Sequence, residues 1–211
     1  VMEVSAHALY YGKVDGIRFE YCIFTNLTED HLDFFGTMEK YGAAKRKLFE
    51  GERCKCAVLN FDDEEGRALA AVAQKSVSYA LENPSDVFAV DIAEDFGGCR
   101  YIINLFDELY EIRLNMTGRH NVYNSMAAAE CAKLIGIPVP VIAEGLASLE
   151  KVSGRLERAG KYRGADIFVD FAHTPDGLEK SLRALRPHCR GRLVCLFGCG
   201  GNRDALKRPL M

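Results

Sequence analysis

Tyr21-Cys22-Ile23-Phe24-Thr25-Asn26-Leu27-Thr28-Glu29-Asp30-His31-Leu32-Asp33 is the stretch that decides the fold. It opens as an apolar strand, Tyr21–Thr25, and passes directly into a polar turn rich in acids. Ligands of open α/β sheets bind in the crevice beyond the carboxyl ends of the strands. An Asp30-His31 pair in that position therefore suits metal or phosphate chemistry. The same residues also permit a plainer reading, a helix start with Thr28 as N-cap and acids in the first turn.

Working outward, strands alternate with helices, which predicts an α/β fold with a largely parallel sheet and flanking helices. Val1–Ser5 reads as a strand end that runs into a short helical stretch near 6–11. The pattern predicts helices over Thr37–Glu50 and Asp63–Gln74, and strands at Cys56–Asn60 and Val77–Tyr79. Between Val87 and Asn115 it shifts to several short strands, including Arg100–Phe106 and Leu109–Leu114, punctuated by Gly97-Gly98. This predicts a β-rich edge on a parallel core. His120–Ile135 is an Ala-rich helix stopped by Gly136, and Pro138–Leu149 is a second helix. The register changes around Lys151–Gly154, which divides the chain into 1–150 and 151–211. In the second part, strands at Ile167–Phe171 and Leu193–Phe197 flank a helix over Thr174–Leu185, a right-handed βαβ unit if the strands are parallel.

The 211 residues are 48% hydrophobic and 27% charged, enough apolar material for a substantial core. A net charge of −3 argues against nucleic acid or an anionic membrane as the main partner. No signal peptide and no membrane-length apolar run is present. The eight cysteines form no CxxC pair, so zinc-ribbon spacing is missing, and several sit in apolar runs. Free thiols in a reducing cytoplasm are the expectation. The first residues read as mid-strand and Leu210-Met211 adds no closing element, so the chain reads as an internal piece of a longer protein.

Four further constellations carry chemistry. Met2-Glu3-Val4-Ser5-Ala6-His7 places a carboxylate at a strand end, a plausible Mg²⁺ donor because Mg²⁺ prefers hard oxygen, or simply an edge charge. Gly118-Arg119-His120-Asn121-Val122-Tyr123-Asn124 opens a helix whose N-terminus favours anions, with Asn121 and Asn124 spaced to share a face, and capping explains it equally well. Val169-Asp170-Phe171-Ala172-His173-Thr174-Pro175-Asp176 is a strand end followed by a helix with Thr174 as N-cap and Pro175 at its first position. Phe197-Gly198-Cys199-Gly200-Gly201-Asn202-Arg203-Asp204 reads as an anion or carboxylate clamp.

In this order, joined by Tyr41-Gly42-Ala43-Ala44-Lys45 and Gly154-Arg155-Leu156-Glu157, these blocks resemble the Mur ligases. The resemblance is strongest to the branch that adds a diamino acid to a UDP-muramoyl dipeptide. It is close over 1–50 and 117–211 and loose over 51–116. It implies that 1–150 is part of a central ATP-binding domain and 151–211 the start of a Rossmann-like C-terminal domain. The family's phosphate-binding loop would precede Glu3; no Gly-Lys-Ser or Gly-Lys-Thr occurs in the chain. The family's activity is ATP-dependent, ADP-forming amide ligation in peptidoglycan synthesis, in the cytoplasm. Diaminopimelate or lysine would join UDP-N-acetylmuramoyl-L-alanyl-D-glutamate through an acyl phosphate. Without that loop, the 211 residues alone are expected to be inactive.

Carried over by position, the resemblance makes Glu3 and His31 ligands of two Mg²⁺ ions. Lys45 would be a carbamylated lysine, also a metal ligand and catalytic with His173. Asn121, Asn124, Arg155 and Asp170 would contact ATP. Ser5, Lys13 and His173 would contact the muramoyl dipeptide, and Arg203 with Lys207 would grip the incoming amino acid. The chain departs from the family pattern at Ala6, where a second Ser is usual, and at Lys13, where Arg is commoner. It departs also at Asn202 in place of Asp, and at Ala205-Leu206 in place of Arg-Gly. Two other readings stay open: another ligase of the superfamily, folylpolyglutamate- or cyanophycin-synthetase-like, or a non-catalytic nucleotide-binding module.

Overall fold

Strand β2 (Cys54–Asn60) is buried at every residue except Lys55, as a strand covered on both faces must be. The main sheet is built outward from it in a computed structural model that describes residues 1–200 and 207–211. On one side lies β1 (Phe19–Phe24), parallel to β2, with Cys22 opposite Ala57 and Phe24 opposite Leu59. On the other lies β3 (Ser76–Ala80), also parallel. Next come β4 (Val87–Asp95), β5 (Gly98–Leu105) and β6 (Glu108–Leu114). β4 is parallel to the end of β3, while β5 and β6 continue antiparallel, so the six strands stand in sequence order. The largely parallel sheet with a β-rich edge is thus as the sequence predicts.

Helices cover both faces. Short helices α1 (Ala6–Tyr10), α2 (Leu32–Phe35), α3 (Met38–Arg46) and α4 (Glu64–Leu69) gather on one side. There Leu9, Leu48, Phe49 and Leu69 enclose Cys22, Phe24, Ala57 and Leu59. On the other face, α5 (Arg119–Leu134) presses Val122 and Met126 into a core with Val58, Tyr79, Tyr101 and Ile103, and α6 (Val139–Ser148) packs beside it and on β6. Gly118 begins α5 at φ 102°, where an added Cβ would lie 2.5 Å from the His120 ring. Only glycine allows that backbone and that approach.

Beyond α6 the chain forms a hairpin of β7 (Glu157–Tyr162) and β8 (Ala165–Val169), then α7 (Pro175–Leu185) and α8 (Lys207–Leu210). Thr174 caps α7 by accepting from the Gly177 amide at 3.1 Å, with Pro175 in the first turn, as its sequence predicts. Leu156, Ala184 and Leu185, with Phe96 and Phe168, join this region to the β4–β5 turn.

Three predicted features differ. Val1–Ser5 is coil, not a strand end. Leu193–Phe197 is extended but has no ladder partner among the described residues, and Leu196 is 99% exposed. β8 pairs antiparallel with β7, a strand that the sequence pattern had not indicated, so the βαβ unit is not formed within the described residues. A strand exists only where a second one supplies its hydrogen bonds, and hydropathy alone does not reveal the partner. All eight thiols are free, four of them buried. Among the described residues no helix is long and apolar enough to cross a membrane.

Glu130 of α5 is fully buried, and neither carboxyl oxygen has a hydrogen-bond partner among the described residues. Burial, reinforced by Asp86, pushes its pKa up to about 8 from 4.5. The folded state therefore holds a proton that the unfolded chain releases above pH 4.5. Stability from this group is undiminished below that pH and falls as pH rises toward 8. Urea unfolding of Glu130→Gln at pH 8 should show a gain of about 2–3 kcal/mol over the parent, shrinking toward zero near pH 4.5. An equal gain at both pH values would show that ionisation is not its origin.

Candidate functional site

Parallel strands β1 and β2 end on the same edge of the sheet, so the loops that follow them meet. Asn60 donates from Nδ2 to the Thr25 carbonyl at 2.7 Å and accepts the Asp62 amide at 3.0 Å. Asp63 caps α4 through the Glu65 amide at 2.9 Å and accepts the Leu27 amide at 2.9 Å. Asp62 gathers the amides of Leu81, Glu82 and Asn83 and the Tyr123 hydroxyl, the last at 2.6 Å. Burial alone would raise the Asp62 carboxyl, but the hydrogen bonds from Tyr123, Leu81 and Asn83 outweigh it and hold the group below its usual range. Arg119 pairs with Glu82 and completes the wall.

These loops floor a cleft of about 500 Å³ that runs under the N-terminus of α5 to α7, with Asn124 and Tyr123 on one side and Lys180 and Arg183 on the other. Asn124 is exposed to it. Asn121 is not; it is buried, and its amide donates to the Thr117 carbonyl at 2.8 Å. The shared face expected for the two residues is therefore split between fold and cleft. The sequence reading missed Asn60, Asp62, Asp63 and Tyr123. Asn60-x-Asp62-Asp63 sits directly after a buried strand, the position that pointed to residues 25–33, and could have been found on the same ground.

Around the other side of the β1 loop, Tyr41 is flanked by two predicted site residues. The Lys45 ammonium lies 5.1 Å from its ring centre, and the His31 ring 5.8 Å. Burial pushes the Lys45 amine below its usual pKa, opposed by the carboxylates of Asp63, Asp30 and Glu3. The Lys45 Nζ reaches the Asn26 carbonyl only at 3.5 Å. Glu3 and Lys45 line a second cavity, of about 760 Å³, beside β1. Burial also lowers His31, against Asp30, with His7 adding to the lowering; the His7 and His31 rings are 4.8 Å apart. Among the described residues, no three His, Cys, Asp or Glu side chains stand close enough to hold a metal by themselves.

The remaining predicted positions are spread more widely. Ser5 caps α1 through the Ala8 amide at 3.2 Å; α2 starts at His31 without a side-chain cap, so Thr28 does not cap the helix that follows β1. Lys13 is exposed, 6.0 Å over the Tyr11 ring. Arg155 lies 5.7 Å over the Phe171 ring. Asp170 accepts the Leu156 and Ala172 amides at 2.6 and 2.8 Å and bears electrostatically on His120, which burial lowers. His173 approaches Asp30 at 3.8 Å, and Lys207 approaches it at 4.0 Å. Arg203 and Asn202 lie outside the described residues.

Comparison with known proteins gives this geometry a family. The sequence profile of the Mur ligase middle domain matches residues 1–132, and that of the Mur ligase glutamate ligase domain matches 154–211. The chain is 43% identical over its whole length to UDP-N-acetylmuramoyl-L-alanyl-D-glutamate–2,6-diaminopimelate ligase of Xanthomonas campestris, and spans 44% of that protein. A solved structure of a ligase of that name superposes with a TM-score of 0.76 at 32% identity, over 99% of this chain and 44% of the other. The MurF ligase of Thermotoga maritima in complex with ADP shares the fold at 22% identity, with a TM-score of 0.69, over 87% of this chain and 42% of its own. The chain belongs to the Mur ligase family.

Proposed function

We propose that this chain, within a protein of its relatives' length, serves an ATP-dependent amide ligase. That enzyme joins a diamino acid, diaminopimelate or lysine, to UDP-N-acetylmuramoyl-L-alanyl-D-glutamate. Residues 1–150 form its ATP-binding part and 151–211 the start of its C-terminal domain. The observation that carries the reading is the half-buried, partner-poor Lys45 amine, which approaches the same Tyr41 ring as His31, lies within electrostatic reach of Glu3, and lines the cavity beside β1 that adjoins the α5 cleft at Thr25 and Asn26. Only the neutral amine adds CO₂ to become a carbamate, and burial, by lowering the Lys45 pKa, makes that form easier to reach. Glu3, His31 and that carbamate would hold Mg²⁺, which commonly takes only a few protein donors and completes its shell with phosphate oxygens and water. Bound there, the metal supplies charge neutralisation for phosphoryl transfer.

The chain's own groups account for the rest by positioning. Asn124 and Tyr123 face the cleft where the nucleotide sits; a relative of this fold was solved with ADP. Asp170, held by its three hydrogen bonds, and Arg155 extend that nucleotide contact from β8 and its flanks. Asn121 supports α5 beneath it. Ser5, Lys13 and His173 contact the dipeptide, and Arg203 and Lys207 take the carboxylate of the incoming amino acid. The D-glutamate side chain accepts the γ-phosphoryl group as an acyl phosphate, the amine attacks, and phosphate leaves. His173 orients the carboxylate and is not required to act as a base.

The test of the whole reading supplies the full-length protein with ATP, Mg²⁺ and UDP-muramoyl dipeptide. Phosphate release and a new amide are expected only when a diamino acid is added, and release without one, or with glutamate alone, would favour a different superfamily member. In that assay Lys45→Ala should lower kcat about a hundredfold or more, a size usual for removing an electrostatic group at a reacting centre, with ADP binding changed by less than about threefold. Asn124→Ala should raise KM for ATP roughly tenfold, the worth of about one hydrogen bond. Asn121→Ala should instead lower the thermal midpoint, because its amide is spent on the Thr117 carbonyl. Equal kinetic effects of the two asparagines would contradict the split seen in the structure.

A further inference from the structure

Asp30 is the one carboxylate among the described residues that meets both halves of the chain at the candidate site. Its Oδ1 accepts the backbone amide of His31 at 2.8 Å, and its Oδ2 lies 3.5 Å from the His31 Nε2. Across the gap, Oδ2 is 3.8 Å from the His173 Nε2 and Oδ1 is 4.0 Å from the Lys207 Nζ. His173 precedes α7 and Lys207 begins α8, so both belong to the segment beyond residue 150, while Asp30 belongs to the loop after β1.

Two features give this carboxylate work that no other residue near it can do. His31 has φ 57°, a left-handed conformation that a non-glycine residue holds only when its surroundings compensate. The Asp30 bond to the His31 amide is such a compensation, because a short acidic side chain can satisfy the backbone of the turn it stands in. The Lys207 side chain is only 10% exposed, and Asp30 is the one carboxylate within 4.0 Å of it among the described residues. A cation so poorly hydrated needs a counter-charge, and Asp30, itself 21% exposed, provides it. Nearby electrostatic influence reaches the rest of the cluster: Asp30 opposes the lowering of both Lys45 and His31.

We propose that Asp30 is a positioning residue for the ligase reaction, one carboxylate that shapes the His31 turn and anchors His173 and Lys207 of the C-terminal segment over it. The role rests on the ligase reading above, yet the contact itself does not. Asp30 acts through its neighbours: it places Lys207 and His173 where the acceptor carboxylate and incoming amine must come together. Its loss should therefore slow the step that needs both halves of the protein and spare the nucleotide cleft, whose floor is tied by Asn60, Asp62 and Asp63 instead.

The experiment uses the full-length protein in two arms. In the first, a water-soluble carbodiimide, which joins a carboxylate to an amine in contact with loss of water, is applied and the peptides are mapped by mass spectrometry. A crosslink between Asp30 and Lys207 is expected, lost in Lys207→Gln; its absence from the unsubstituted protein overturns the contact whether or not the protein is a ligase. In the second, kcat/KM for the amino-acid substrate is measured for Asp30→Asn, Lys207→Gln and the double variant. Each single change should cost roughly tenfold or more, and the double variant should be less than about threefold worse than the poorer single one. Asp30→Glu, which keeps the charge, should recover part of the loss, and ADP affinity should stay within about twofold throughout. Fully multiplicative losses, or ADP affinity that falls in step with kcat/KM, would assign Asp30 a general structural role and overturn the proposal. A protein that crosslinks but makes no amide product removes the ligase reading and the catalytic half of this one, leaving the contact intact.

Discussion

Everything at the candidate site depends on the parallel pairing of β1 with β2. Parallel neighbours finish on the same edge of a sheet, so the polar loops that follow them are forced together. Side-chain bonds then cross-link the two loops: Asn60 to the Thr25 carbonyl and Asp63 to the Leu27 amide. Had β1 run antiparallel, residues 25–33 and 60–63 would lie at opposite ends of the sheet. The cleft, the Lys45 environment and the Asp30 contacts would then have no common floor.

That rim concentrates ionisable groups at the edge of a core that tolerates few of them. The molecule resolves the conflict in different ways at different places. Asp62 is half-buried but receives donors from three backbone amides, an asparagine and a tyrosine, so its charge is favoured. Lys45 is half-buried with one long hydrogen bond to a carbonyl, and its charge is disfavoured. Glu130 has no hydrogen-bond partner among the described residues, and its pKa is pushed up, favouring the protonated form. The Asp62 arrangement holds a loop; the Lys45 arrangement leaves an amine of lowered pKa within electrostatic reach of Asp63, Asp30 and Glu3. Glu130 stands deeper, among Tyr79 and the strands under α5, and is a cost to the fold with no visible return at the cleft.

The region beyond residue 150 is organised differently. Its hairpin is polar and shallow, and its apolar contacts reach back to Phe96 in the β4–β5 turn. Polar reach is provided by His173 and Lys207 toward Asp30, and by Lys180 and Arg183 toward the cleft. The two parts of the chain thus meet through a small apolar patch on one side and through charge on the other. Such an interface is adjustable in a way that a buried core is not.

By itself the sequence determined the alternation of strands and helices, the largely parallel sheet they build, the cap at Thr174, and the blocks of residues that belong to the family. These are local: a buried strand is an apolar run, a cap is a short polar pattern, and a turn at positive φ asks for glycine. Only the tertiary structure decided which residues meet. It separated Asn121 from Asn124, withheld a partner from Leu193–Phe197, supplied one to β8, and brought Asp30 against Lys207 across 177 positions of chain. The reason is physical. Strand pairing, desolvation and charge contact are set by neighbours in space, and a linear pattern does not say who those neighbours are.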